Sequence, residues 1–190
     1  AETGKRKGDV LVITLIDDAL LDAVCAEAAA SPRRRKNRNF HPRDDHPGHR
    51  LLNALMADTY IPPHRHLDPN KDETYVVLRG RLGLVEFDDA GAVMRTLKVG
   101  AGGAAIGVDV AHGTWHTAVA LEDETVFLEA TAGPYLPLGA AERAAWAPAE
   151  GDAAAAAYLA ALKRRLPAPA QARSATSDSR TTPGTTTDSR

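Results

Sequence analysis

The N-terminal part of the chain changes its hydrophobic pattern twice. A β-branched apolar run at 10–16 predicts an edge strand. The next segment predicts a short amphipathic helix that Asp17 or Asp18 caps and Pro32 ends. The apolar face of this helix comprises Leu20, Leu21, Val24 and Cys25. The basic segment "RRRKNRNFH" at 33–41 follows, and its composition favours an extended conformation over a helix.

Short apolar runs separated by turn residues fill the region from about residue 50 to residue 131. They predict many short strands, and "DDAG" at 88–91 predicts a hairpin between two of them. Strands at such regular spacing are typical of a sandwich or a barrel. The alanine-rich "GDAAAAAYLAALKRRL" then predicts a helix capped by Asp152, with basic residues at its carboxyl end.

These patterns divide the chain into four segments. Residues 1–49 hold the N-terminal strand, the helix and the basic extended arm, and residues 50–138 form the β-barrel. Residues 139–166 form a C-terminal helical segment. Residues 167–190 are rich in proline, serine, threonine and alanine, with little to bury, so we expect a disordered tail.

Composition narrows the classes of function. The 190 residues carry a formal net charge of -2, which gives no overall basicity to favour nucleic acid as a partner. No apolar run is long enough to span a bilayer, so we expect no membrane partner. The start of the chain lacks a clear signal-peptide cleavage site. The single cysteine, Cys25, excludes an internal disulfide and fits a reducing compartment, so we expect the protein in the cytoplasm.

The segment "HRHLDPNKDE" at 64–73 contains the strongest candidate chemistry. Residues i and i+2 of a strand point to the same face, so His64 and His66 project together while Arg65 points away. The turn sequence Asp-Pro-Asn can return Glu73 to the side of the two histidines. Such convergent side chains are what a single metal ion requires.

His116, which follows a glycine turn in "AHGTWHT", is the fourth candidate. Three neutral imidazoles and one carboxylate suit one divalent metal ion, with Fe, Mn, Ni, Cu and Zn all compatible. The interpretation without a metal is a polar turn with exposed histidines. The added Glu73 and His116 favour a metal site formed by His64, His66, Glu73 and His116.

These residues resemble the two motifs of the cupin superfamily. "HRH" followed by "ETYVVLRG" resembles the first motif, and "AHGTWH" resembles the second, with Ala111 in place of the usual proline. The six residues between His66 and Glu73 exceed the three or four of the common pattern. Asp68 and Asp72 therefore stand as alternative carboxylate ligands.

The sequence is more closely similar to the WbuC-type cupin-fold metalloproteins. This resemblance covers roughly residues 33–152, including "RRKNRNFH", "LLNALMADTYIPPHRH" and "GPYLPL". It implies an all-β cupin jelly-roll barrel with flanking N- and C-terminal helices and a metal inside. It also implies an association with bacterial O-antigen and surface-polysaccharide synthesis. The dimers common among cupins favour a homodimer.

Three hypotheses of function follow. The first is a small metal-dependent enzyme acting on a carbohydrate or sugar-nucleotide intermediate. The second is a non-catalytic, metal-containing sugar-binding or regulatory module. The third is a metal-free barrel whose histidines act as organic acids and bases. Whether the protein is an enzyme stays open at this point.

The alternation of the basic arm permits two interpretations. Arg35, Asn37, Asn39 and His41 would line one face of an extended segment. They could form a polar strip at the barrel mouth that binds an anionic sugar. The favoured interpretation is an added strand, either in the sheet of the same chain or in that of a partner subunit. His49 is expected in a loop.

Overall fold

The computed structural model describes residues 13–167. The helices are α1 (Asp18–Ala30) and α2 (Ala155–Arg165), and a short 3-10 helix spans Ala140–Glu142. The first four strands are β1 (Arg35–Asn39), β2 (Gly48–Leu55), β3 (Glu73–Arg79) and β4 (Arg81–Phe87). The remaining strands are β5 (Val93–Gly100), β6 (Gly107–Val110), β7 (Trp115–Ala120) and β8 (Thr125–Ala132).

Two antiparallel sheets form the body of the molecule. The larger sheet has the order β1-β2-β8-β3-β6, and the smaller has the order β5-β4-β7. Apolar side chains from both sheets meet in one buried cluster. Its members include Leu55, Tyr75, Val77, Leu82, Leu84, Ala118 and Phe127. The core is therefore all-β with flanking helices, as predicted, although among residues 13–167 the two sheets form a sandwich and do not close into a barrel.

The first helix packs on the outer face of the larger sheet. Asp17 caps it, as predicted, because its Oδ1 accepts a hydrogen bond of 3.0 Å from the backbone N–H of Leu20. Leu21, Val24 and Cys25 are buried against β2 and β8. The helix thus covers an apolar sheet face and leaves the opposite face free to line an interior.

The second helix covers the smaller sheet, and Leu159 and Leu162 pack against Val85 and Val119. The prediction that Asp152 caps this helix is wrong. The helix begins at Ala155, and Asp152 Oδ2 instead accepts a hydrogen bond of 2.8 Å from the backbone N–H of Ala149. The predicted cluster of basic residues in the last turn is present.

The predicted edge strand at 10–16 does not form over residues 13–16, and residues 10–12 lie outside the described residues. Ile13 is 92% exposed and Leu15 is 70% exposed. A β-branched sequence forms a strand only where a neighbouring strand supplies hydrogen bonds and packing. Residues 13–16 have no such neighbouring strand within the described range. The predicted tail at 167–190 likewise lies outside the described residues, apart from Pro167.

The basic arm forms β1, which pairs antiparallel with β2, so the prediction of an added strand in the chain's own sheet is confirmed. The predicted hairpin at 88–91 is also present, where the backbone N–H of Gly91 donates to Asp88 O over 3.0 Å. Within the described range, neither helix has the length or the apolar character needed to cross a membrane.

Candidate metal centre

Two backbone segments from different parts of the chain bring the histidines together. His64 forms an isolated antiparallel bridge with His116 in β7. The N–H of His64 donates to His116 O over 3.0 Å, and the N–H of His116 donates to His64 O over 2.9 Å. These paired hydrogen bonds place the two imidazole rings 4.6 Å apart, measured between centroids.

The side chain of Arg65 holds the histidine segment from the outside. Its guanidinium carbon lies 4.4 Å from the ring centroid of Trp115, and its Nε donates to Ala141 O over 3.1 Å. His64 and His66 point to the opposite side, as the alternation of a strand predicts. Trp115 and His116 likewise face opposite sides of β7.

Glu73 lies between two of the histidines at the start of β3. Its Oε1 is 3.1 Å from His66 Nε2, and its Oε2 is 3.1 Å from His116 Nε2. Tyr75, two residues along the same face, donates its hydroxyl to Glu73 Oε2 over 3.0 Å. The ligating atoms of His64, His66 and Glu73 all lie within 4.8 Å of one another.

The donor set fits a metal ion. Adjacent ligand atoms on an octahedral ion at about 2.1 Å are about 3 Å apart, close to the two histidine–glutamate distances. Nδ1 of His64 lies 3.0 Å from Pro62 O, and Nδ1 of His116 lies 3.0 Å from Thr114 O. A proton on Nδ1 satisfies each carbonyl and leaves Nε2 as an unprotonated ligand, the arrangement common around protein-bound metals.

The protonation of the cluster follows from burial and mutual contacts. Burial and the neighbouring His116 lower the pKa of His64 to about 4, which favours the neutral imidazole that a metal requires. Burial alone would raise the pKa of Glu73, but contacts with His116 and His66 outweigh it and lower the pKa below the usual range. Burial alone would lower the pKa of His66, but the hydrogen bond and charge of Glu73 outweigh burial. The pKa of His66 is therefore raised.

The loop 67–72 keeps the two alternative carboxylates away from the cluster. Asp68 Oδ1 accepts a hydrogen bond of 2.9 Å from the backbone N–H of Asn70. Asp72 Oδ1 accepts one of 2.8 Å from the N–H of His112, outside the cluster. Of the three carboxylates considered, the structure brings Glu73 to the histidines. Ligation of a metal by His64, His66, Glu73 and His116 stays a prediction.

A large cavity opens beside the histidines. Its volume is about 690 Å³, within the range of small-molecule sites. His64, His66, Glu73 and Tyr75 form one end of it. The arm that forms β1 also lines this cavity, through Arg35, Asn37, Asn39 and His41. The interpretation of the arm as a polar strip beside the site therefore agrees with the structure as well.

Three cavity residues were not predicted from the sequence. Asn53 in β2 donates a hydrogen bond of 2.8 Å from Nδ2 to Glu129 Oε2 in β8. Burial, and then the charge of Glu73, raise the pKa of Glu129 to about 7. Lys71, in the loop 67–72, is the third. The sequence contained a signal for Glu129. It lies two residues after the inward-facing Phe127 in "TVFLEAT", so strand alternation places both side chains on the same face.

The prediction that His49 lies in a loop is wrong. His49 lies in β2, where it is buried. It stacks on His41 with ring centroids 3.9 Å apart and planes 7° from parallel. Burial, and then His41, lower the pKa of His49. The pair forms the wall of the cavity where β1 leads into the turn before β2.

Comparison with known proteins gives one family match over part of the chain and several solved structures with similarity of fold. Residues 16–99 match a family model described as "Domain of unknown function (DUF6016)". None of the curated proteins compared with the chain matches it. The residues of the two cupin-like motifs meet in the structure, because Glu73 of the first lies 3.1 Å from His116 of the second.

Solved structures similar to the chain come from several bacteria. KdgF from a Halomonas species is 16% identical, with a TM-score of 0.42 over 54% of this chain and 82% of KdgF. The conserved SPY1581 protein of unknown function from Streptococcus pyogenes is 13% identical, with a TM-score of 0.45 over 67% and 93%. The R92A mutant of Bacillus subtilis oxalate decarboxylase OxdC is 22% identical, with a TM-score of 0.39 over 48% and 23%.

Proposed function

We propose that the protein is a mononuclear metalloenzyme that acts on a carbohydrate or sugar-nucleotide intermediate of bacterial surface-polysaccharide synthesis. The observation that carries this proposal is the position of His64, His66 and Glu73 at one end of an open cavity, with His116 Nε2 3.1 Å from Glu73 Oε2. A site with only a structural metal would have no need of adjoining space for a ligand.

The residues of the cavity supply distinct parts of the chemistry. A divalent ion held by the three histidines and Glu73 would polarise a substrate oxygen or activate water. Tyr75 donates its hydroxyl to Glu73 and so fixes the orientation of the carboxylate. Glu129, whose pKa is raised to about 7, can hold or release a proton near neutral pH.

The neutral polar lining supports a ligand with hydroxyl groups. The amide of Asn53 and the side chains of Asn37 and Asn39 face the cavity and provide both donors and acceptors. The buried Oγ1 of Thr131, in the cavity wall, has no hydrogen-bond partner within residues 13–167. Such groups suit a sugar, since each hydroxyl of the ligand can both donate and accept a hydrogen bond.

The pathway, the oligomeric state and the cellular location are part of the same proposal. Similarity to the WbuC-type cupins, stated above on the sequence motifs, supports an O-antigen or other surface polysaccharide as the pathway. We also propose a homodimer, because dimers are common among cupins. The single cysteine supports a cytoplasmic location.

A non-catalytic sugar-binding or regulatory module is the second candidate. The hydrogen-bonding groups of Asn37, Asn53 and Glu129 would bind a ligand even without a reaction. This candidate predicts binding of sugars without their conversion, whereas the enzyme hypothesis predicts a product.

Metal content is the first test. Protein purified without chelators should contain about one metal ion per chain by elemental analysis, and His64→Ala and His116→Ala should lose most of it. His112→Ala is the matched control, because His112 pairs with Asp72 outside the cluster. Full metal content in the His64 and His116 variants would show that the metal site is elsewhere.

Turnover is the second test. The metal-loaded protein is incubated with UDP- and dTDP-linked sugars, and each mixture is followed by proton NMR. The enzyme hypothesis predicts new sugar resonances with the wild type and none with His116→Ala. Binding of sugars by the wild type without new resonances would favour the non-catalytic module.

A further inference from the structure

Lys71 is a cation of the cavity wall that has no partner among residues 13–167. Its side chain lines the cavity, and the residue is only 9% exposed. In the part of the chain that the structure describes, its ammonium group neither pairs with a carboxylate nor hydrogen-bonds to another residue. An ammonium group on a cavity wall that no protein group neutralises can bind an acidic group of a ligand.

The other cations that line the cavity already have partners. Arg33 and Arg35 both pair with Glu150, at 2.9 Å and 2.8 Å. Lys36 pairs with Glu27 at 3.2 Å. Of the lysines and arginines in the cavity wall, Lys71 therefore retains a charge available to a ligand.

The loop that carries Lys71 is held at both ends. The backbone N–H of Lys71 donates to Asp68 O over 2.9 Å, which closes a turn. On the other side, Asp72 accepts hydrogen bonds from the backbone N–H and from Nδ1 of His112, at 2.8 Å and 2.9 Å. The backbone at Lys71 is therefore held by neighbours on both sides, so the loop needs no ordering when a ligand binds.

The loop also places the charge beside the metal centre. Lys71 lies between His66 and Glu73 in the sequence, and its charge acts on His66. A ligand whose oxygen faces the histidines can therefore present a neighbouring acidic group to Lys71. The six-residue separation of His66 and Glu73, longer than the usual cupin spacing, provides the residues that bring the lysine there.

We propose that Lys71 is an anion-binding residue that makes the cavity selective for ligands bearing a carboxylate or a phosphate group. This inference rests on the proposed function in that it places a small ligand beside the histidine cluster. It goes beyond it by requiring that the ligand be acidic. An ammonium group binds either anion as a point charge, so the two sources of charge are separated by experiment.

Calorimetric titration of the full-length, metal-loaded protein tests this inference. The ligands are galacturonate, galactose 1-phosphate, neutral galactose and inorganic phosphate. We expect at least one acidic sugar to bind about 10- to 100-fold more tightly than galactose, the size of effect that a charged hydrogen bond provides. Lys71→Met should abolish that preference and leave the affinity for galactose unchanged.

Two further variants and two controls separate charge from structure. Lys71→Arg keeps the charge and should keep most of the preference, whereas Lys36→Met removes a cavity lysine that is already paired and should have no effect. Metal content should be the same in all four proteins. The melting temperature of Lys71→Met should not fall, because among the described residues the ammonium group makes no ion pair or hydrogen bond.

The outcomes distinguish this inference from the proposed function. Equal binding of galactose and both acidic sugars, or a preference that survives in Lys71→Met, would overturn the anion-binding role and leave a carbohydrate function intact. Binding of inorganic phosphate that depends on Lys71, with no gain from the sugar, would support the anion-binding role and contradict the carbohydrate function. Absence of binding by all four ligands would overturn both.

Discussion

The interior between the two sheets has a polar end and an apolar end, built by the same strands. In β3 the inward residues change from Glu73 through Tyr75 to Val77. In β7 they change from His116 to Ala118, again toward the apolar end. Along β3, four residues thus separate the titratable Glu73 from the apolar Val77.

This difference assigns separate tasks to the two ends. The apolar end contains the buried contacts that stabilise the sandwich, since removal of apolar surface from water is the main favourable contribution to folding. The polar end collects imidazole, carboxylate and ammonium groups, which cost stability when buried. Substitutions at the two ends should therefore affect different measurements.

The largest effect on stability is expected at the apolar end. Phe127→Ala should lower the free energy of unfolding by about 3–5 kcal/mol, because Phe127 is 3% exposed and packs on Tyr75 with ring centroids 4.8 Å apart. Urea denaturation measures this loss. Metal content of the folded variant should equal that of the wild type, and a loss below about 1 kcal/mol would contradict the assignment of this region as the core.

A smaller effect of opposite sign is expected at the polar end. The pKa of Glu129 in the folded protein is about 7, above its ordinary value of 4.5, so the folded state retains a proton that the unfolded state has released. The resulting stabilisation is complete below pH 4.5 and is lost as the pH rises through 7. Glu129→Gln cannot ionise and should avoid this loss.

Urea denaturation of chelator-treated protein at several pH values measures the difference. Near pH 4.5 the two proteins should be about equally stable, and by pH 8 Glu129→Gln should be more stable by about 1–3 kcal/mol. The amide preserves the hydrogen bond that Asn53 donates, so shape is conserved. A constant difference at all pH values would show that Glu129 ionises in the folded state as it does in the unfolded chain.

The sequence predicted those features that depend on neighbouring residues. Asp17 caps α1, Pro32 follows its end, and the residues at 88–91 form the hairpin, because each depends on local backbone geometry. The convergence of His64 and His66 also follows from strand alternation alone.

Features that depend on distant partners were beyond the sequence. The run at 10–16 has strong β-propensity, but no strand pairs with residues 13–16. Asp152 resembles a helix cap, but Ala149 provides the backbone N–H that it binds. Nothing in the loop 67–72 indicated that Lys71 would line a cavity, since the rest of that cavity is formed by several distant regions of the chain.

The smallest effect is expected on the outer surface, at neither end. Arg95→Ala removes an ion pair with Glu86 at 2.8 Å whose arginine is 64% exposed. Solvent weakens such a pair, so the free energy of unfolding should change by about 0–1 kcal/mol. The same denaturation measurement checks this value, and a loss as large as that of Phe127→Ala would remove the distinction between interior and surface.

The outward contact of Arg65 has a thermodynamic consequence for metal binding. The guanidinium of Arg65 contacts Trp115, Ala141 and Asp89. These contacts hold the backbone between His64 and His66 in place before any metal ion binds. Ordering of this segment is then a cost met during folding and is not subtracted again from the affinity for the ion. A residue that faces away from the predicted ligands would thereby contribute to their affinity for a metal ion through entropy.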